Sequence, residues 1–304
     1  MGTLDAVPDL RRRGQLDVLT WPIFDGHNID ALVTTRHGGV SGGSYESLNL
    51  GLHVGDDATA VLENRRRAAA ALNADPADMV FCNQSHYRNV HIVTSADRGR
   101  GALSQDDAIP ATDALVTAEP GIALVVMVAD CVPIVLYDPV AHVLACVHAG
   151  WRGTVARVTE AALEAMTALG SQPRNVIAGL GPAISPERYQ VDYDVVEAAE
   201  QCFDARGTAR VIRPDGTGKW LFDLWEANLT VLREAGLRDA NFNAAAVPTG
   251  RAGGGRFFSD RETRPCGRFA AIARLRPPAD ARTKVTFGDA ATIGREPGYP
   301  HQAA

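Results

Sequence analysis

Residues 122–153 read IALVVMVADCVPIVLYDPVAHVLACVHAGWRG, and this stretch decides the fold. Ile122 to Val128 is an unbroken apolar run, the pattern of a strand buried on both faces. It stops at Ala129-Asp130-Cys131, where an acid and a thiol stand together before Pro133. Val132 to Tyr137 and Val143 to Val147 read as two more strands, joined by a turn at Asp138-Pro139. The last of them delivers His148, then a glycine-flanked loop of Trp151 and Arg152, then a helix expected to begin near Thr154. Cys131 and His148 therefore sit at or just past strand ends, where loops hold reactive groups on a rigid base. Asp130, Cys131, His148 and Arg152 mark this region as the candidate active site.

The chain around it has 304 residues, 46% hydrophobic and 22% charged, with a net charge of −6. That composition suits one large globular unit or two small ones. Mild acidity argues against non-specific nucleic-acid binding, which needs clustered Lys and Arg. The only basic run, Arg11-Arg12-Arg13, lies in a polar N-terminal segment read as a flexible tail over residues 1–17. No apolar run reaches the length of a membrane span, and the N-terminus lacks the apolar core of a signal peptide. The five cysteines are scattered without a scaffold pattern, so a reducing cytoplasm is the expected compartment.

Further along, Asp30 to Arg36 reads as a strand ending in glycines, and the segments around Asn49 and Asp57 as polar, site-lining loops. Asp57 caps a helix to about Leu72. Asn83-Gln84-Ser85-His86 is a second place where a histidine leaves a strand, and Asp113-Ala-Leu-Val-Thr117 repeats the pentapeptide at Asp30. Val155 to Leu169 carries helical periodicity closed by Gly170, and Asp192 and Asp223 cap two later helices. Val176 to Leu180, Asn241 to Val247 and Phe269 to Leu275 complete the strands. Strands and helices intermingle without regular alternation. The expected fold is a mixed α/β (α+β) single domain over residues 18–275, a mixed sheet with covering helices. Residues 276–304 lose periodicity and read as a disordered tail.

His86, Cys131 and His148 stand out as a metal set. Two imidazoles and a thiolate are good zinc ligands and leave a fourth position open, where zinc lowers the pKa of a water to around 7. Cys146 competes with Cys131 for the thiol position, since it lies on the His148 strand. The same atoms could instead form a Cys131–His148 nucleophilic dyad, with Asp130 or Gln84 orienting the base. The spacing does not separate the two. Arg152 at a helix start offers an anion site, Arg36 a second contact for it, and Trp151 a face for a planar ring.

Together these segments resemble the YfiH-like family, long labelled multicopper polyphenol oxidase or laccase-domain proteins. The matching pieces, in order, are Thr35-Arg36-x-Gly-Gly-Val-Ser41, Ser47-Leu-Asn-Leu-Gly51, Val54-Gly-Asp-Asp57, Glu63-Asn-Arg65, Gln84-x-His86 and Asp113-Ala-Leu-Val-Thr117. They continue with Ala129-Asp-Cys131, His148-Ala-Gly-Trp-Arg-Gly153, Gly181-Pro-Ala-Ile184 and Phe257-Phe-Ser-x-Arg261. The resemblance implies zinc ligands at His86, Cys131 and His148, and activity on purine nucleosides: phosphorolysis of adenosine, inosine and methylthioadenosine, and deamination of adenosine. Arg36, Asn49, Gln84, Trp151 and Arg261 are the expected contacts for nucleoside and phosphate. Some members instead edit peptidoglycan precursors as amidases, and the fold is similar to that of cysteine deamidase toxins. The family usually has Val and Gly beside its first histidine, where Ser85 and Tyr87 stand here.

The laccase label fails on composition. Four-copper oxidases build their sites from many histidines, usually in His-x-His pairs. This chain has eight, none two apart. Phenol oxidation would come only from copper in the zinc position. The expectation is therefore a zinc-dependent (or copper-loaded) cytoplasmic enzyme, monomer or homodimer, taking a purine nucleoside and phosphate, with no nucleic-acid or membrane partner. A binding module with a structural zinc is the rival.

Overall fold

The central run folds as three strands, Ala123–Val128, Val132–Asp138 and Val143–Ala149, with every residue of each buried. They do not lie in one sheet. The computed structural model, which describes residues 9–276, has two six-stranded mixed sheets instead of the single mixed sheet expected. Sheet one runs, in spatial order, Asp9–Arg13, Leu16–Thr20, Ile29–Thr34, Phe269–Leu275, Ala123–Val128, Met79–Val80. Sheet two runs Phe242–Ala244, Ile177–Leu180, Val132–Asp138, Val143–Ala149, Ala114–Thr117, Val90–Ile92. Asp130 and Cys131 thus stand where the chain leaves sheet one and enters sheet two.

The two sheets pack face to face. Leu124, Val126, Val128, Phe269 and Ala271 of the first meet Val135, Tyr137, Leu144, Cys146 and Leu115 of the second in one buried cluster. The outer faces are covered as well. Leu32, Val125, Met127 and Ile272 pack with Ala68, Ala69 and Leu72 of, and just beyond, the helix Ala58–Ala70. Ile134, Leu136, Ala145 and Val147 lie in a cluster with Val158, Ala162 and Met166 of Val158–Ala168 and Val231 of Leu224–Glu234. Burial on both faces is what makes the central strands read as continuous apolar runs.

Asp57 and Asp223 cap their helices as read from sequence, each accepting a backbone N–H two or three residues on. Three expectations change. Residues 9–17 are not loose: Leu16 and Val18 turn inward in a hairpin around Gly14. Its outer strand carries Arg11, paired with Asp25, and Arg12, paired with Asp17, which suits an edge that must resist pairing with other chains. The helix expected from Thr154 begins at Trp151, and breaks at Arg157, whose φ of 65° is left-handed, before resuming at Val158. Residues 204–222, which had no reading, supply the helix Ala205–Val211 and part of a third, three-stranded sheet of Gln190–Val191, Trp220–Phe222 and Ile212–Pro214. The expected tail from 277 onward, and residues 1–8, lie outside the described residues.

Candidate active site and metal centre

Strand ends of sheet two bring the three proposed ligands together. His148 is the penultimate residue of Val143–Ala149, Cys131 directly precedes Val132–Asp138, and His86 arrives on the loop before Val90–Ile92. One ligand atom from each of His86, Cys131 and His148 lies within 4.8 Å of the others, the one such group among the described residues. The two imidazoles meet edge to face, with centroids 4.7 Å apart. Gly150 lets them converge: a Cβ there would come within 2.9 Å of Cys131 Sγ and 3.2 Å of His86 Cδ2.

Asp113 organises this cluster, and the sequence reading saw it only as the start of a strand. Its fully buried Oδ1 accepts from His148 Nδ1 at 2.8 Å and from the His86 amide at 2.9 Å. Oδ2 accepts from the Ser85 amide and hydroxyl and the Tyr87 amide. The carboxylate fixes the proton on His148 Nδ1 and leaves Nε2 free for a metal, the usual outer-shell arrangement of ligating histidines. Burial pushes Asp113 up, but the His148 bond and the loop donors win and bring it to about 2. Ser85 thus has a defined task in this chain. The available signal was an acid directly before the apolar run Ala114-Leu-Val116, since a buried carboxylate must be partnered.

Burial also raises the Cys131 thiol, yet the charge of His148 and hydrogen bonds with both histidines bring it down to about 6. Burial lowers His148, and the Cys131 charge with the Asp113 bond raises it to about 9. A cation bound by this thiolate would displace the second ring proton of His148, leaving Nδ1–H on Asp113. Cys146 is no ligand: it is fully buried between the sheets, near the Leu124 carbonyl at 3.6 Å, and burial pushes its thiol up.

The ligands lie in the wall of a cavity of about 630 Å³. Gln84, Asp130, Trp151, Arg152 and Arg261 also line it, as expected; Arg36 and Asn49 do not. Arg36 donates to the Glu46 carbonyl at 2.7 Å and stacks on Phe258 at 4.4 Å. Asn49 is fully buried and ties the Gly51 and Arg268 backbones to Asp56. The polar loops near Asn49 are latched by Asn64 and Arg65 of the Ala58–Ala70 helix, and from them only His53 reaches the cavity. Gln84 orients neither histidine, because its amide is bonded both ways to the Met127 backbone. Asp130 orients no base either. Its carboxylate accepts from the Thr249 hydroxyl and the Arg261 amide. It holds a left-handed φ of 94°, and His86 one of 60°, strain of the kind that collects at functional sites.

Four arginines line the cavity, and three are committed. Arg261 donates to the Gln190 carbonyl, Arg264 to Asp260, and Arg268 to Cys266, Gly267 and Asp260. The Arg152 side chain makes no hydrogen bond or ion pair among the described residues. Its guanidinium lies 4.3 Å over the Trp151 ring, so one face of that ring is already covered. Tyr189 also lines the cavity, from a stretch whose sequence carried no periodicity to flag it.

The family description multi-copper polyphenol oxidoreductase laccase matches residues 30–276, nearly all of the described fold. The chain belongs to this family. A Bacillus subtilis protein named purine nucleoside phosphorylase YlmD is 37% identical over 239 residues, covering 77% of this chain and 84% of that protein. A Streptomyces griseus protein, purine nucleoside phosphorylase ORF3, is 50% identical over 158 residues, which span 62% of its length. Among solved structures, YlmD from Geobacillus stearothermophilus matches with a TM-score of 0.83 and 34% identity, over 89% of this chain and 100% of that one. The Bacillus licheniformis hypothetical protein YfiH matches with a TM-score of 0.83 and 32% identity, over 88% of this chain and 99% of that one. No described helix is long and apolar enough to cross a membrane.

Proposed function

We propose that this protein is a metal-dependent purine nucleoside phosphorylase. It cleaves inosine, adenosine and methylthioadenosine with phosphate, and deaminates adenosine in the same cavity. The observation that carries the reading is the union, in one cavity, of a His–Cys–His ligand set with an arginine whose side chain makes no hydrogen bond or ion pair among the described residues. Relatives named purine nucleoside phosphorylase support it.

Two imidazoles and a thiolate suit zinc, and the Asp113 carboxylate that accepts from His148 Nδ1 fits that use. Zinc held by His86, Cys131 and His148 would supply Lewis acidity toward a substrate oxygen or a water. The same donors bind copper, so elemental analysis of protein purified without added metal decides the ion. In phosphorolysis a phosphate oxygen bonds to C1′ as the C1′–N9 bond breaks, and the purine leaves with that electron pair and takes up a proton. Arg152 has its N–H groups free to hold the phosphate dianion for that attack, and bidentate geometry would aim it. Trp151 backs the guanidinium and limits its swing. Asp130 fixes the Thr249 and Arg261 loops against the cavity floor. Release of free base from inosine that requires phosphate and yields ribose 1-phosphate supports the reading; phosphate-independent release sinks it.

One observation favours a second reading. Cys131, His148 and Asp113 stand in the order of a nucleophile, base and orienting acid, so a thiol amidase acting on peptidoglycan precursors is the alternative. Metal-free protein forming a covalent acyl-enzyme on muramyl-peptide amides, and inert toward nucleosides, would select it.

A further inference from the structure

We propose that Tyr189 is a substrate-contacting residue, the hydrogen-bond donor that completes the phosphate subsite begun by Arg152. The inference rests on the phosphorylase reading. Tyr189 lines the cavity together with the ligand set and Arg152. Cys131, Asp130, Arg152 and Arg261 line the same cavity, so the Tyr189 phenol shares its wall with the charged groups beside the metal ligands. That hydroxyl has no hydrogen-bond partner among the described residues, although a buried or half-buried phenol usually finds one.

The residue is held firmly while its polar tip is left free. Its carbonyl accepts from the Phe222 amide at 3.0 Å and its amide donates to the Pro186 carbonyl at 3.3 Å. The ring packs 6.0 Å from Phe222 and carries the Arg261 guanidinium 5.2 Å from its centroid. Tyr189 directly precedes the small sheet of Gln190–Val191, Trp220–Phe222 and Ile212–Pro214, and its bond to Phe222 anchors it to that sheet at the cavity wall. A phenol with one arginine over its ring and a second in the same cavity wall complements an acceptor-rich anion. Inorganic phosphate is such a ligand, and a nucleobase with its own donors is a poorer fit.

Tyr189→Phe keeps the ring, its packing and the Arg261 stack, and removes only the hydroxyl. The expected result is a KM for phosphate raised about 10-fold, the scale of one lost hydrogen bond to a charged group. KM for inosine and metal content stay at the wild-type values. Tyr189→Leu, which also removes the Arg261 platform, should raise the phosphate KM further. An unchanged phosphate KM in Tyr189→Phe overturns the assignment, as does an equal rise in both KM values. If wild-type protein shows no phosphate-dependent cleavage at all, the phosphorylase reading fails first and independently of Tyr189.

Discussion

Asp113 Oδ1 accepts the Nδ1 proton of His148 at 2.8 Å, and the same oxygen holds the amide of His86 at 2.9 Å. One buried carboxylate therefore aims a ligand imidazole and fixes the backbone that carries the other. Asp113→Asn would put an amide N–H against donors on one side or the other. Its metal affinity should fall by about 10- to 100-fold, the usual cost of losing such an outer-shell partner. Competition with a chromophoric chelator measures this, and unchanged affinity would reduce Asp113 to a loop anchor.

Cys131 and Cys146 both lie close to His148 in sequence, and of these two only Cys131 lines the cavity. Cys131→Ser should lose most bound metal while near-UV and far-UV circular dichroism stay native. Cys146→Ser should keep its metal but lose stability, because a hydroxyl would replace a thiol in the apolar core between the sheets. Full metal occupancy in Cys131→Ser, with loss in Cys146→Ser, would move the site.

Acid stability has its own determinant at Asp138. This buried carboxylate accepts from the Val140 and Ala141 amides, the Ser171 hydroxyl and the Gln172 amide, and so ties the Asp138–Pro139 turn to the end of the Val158–Ala168 helix. Burial pushes it up, and these bonds, the Ser171 bond first, hold it below the usual carboxylate range. A depressed carboxyl contributes stability that is present above its unfolded pKa of about 3.9 and lost as pH falls through the lower folded value. Asp138→Asn should cost about 2 kcal/mol at neutral pH, shrinking toward zero in acid. Denaturant melts across pH 3 to 7 check it, and a pH-independent difference would contradict the linkage.

How much of this was legible beforehand follows from physics. The central strands announced themselves because both faces of both sheets are covered, which leaves no polar residue to break the runs. His86, Cys131 and His148 were legible because polar, metal-binding side chains at strand ends have few structural uses. Whether they met in space was not legible, since sequence spacing carries no distance. Arg36 and Asn49 misled because glycine-rich polar loops look alike whether they line a cavity or latch one another, as these do through Asn64 and Arg65. Asp113 and Tyr189 were missed for opposite reasons. The first hid in a strand motif, and the second sits between short elements with no period of their own.

The central claim is that Arg152, whose guanidinium makes no hydrogen bond or ion pair among the described residues, holds phosphate beside the metal ligands. Inosine cleavage with and without phosphate, and adenosine deamination, should be measured in the wild type and in Arg152→Ala, with metal content determined for both. The account predicts that phosphorolysis falls about 10²-fold, the loss expected for one charged contact to the reacting group, with deamination and metal content nearly unchanged. A parallel fall of both activities, or base release that never needed phosphate, would contradict it.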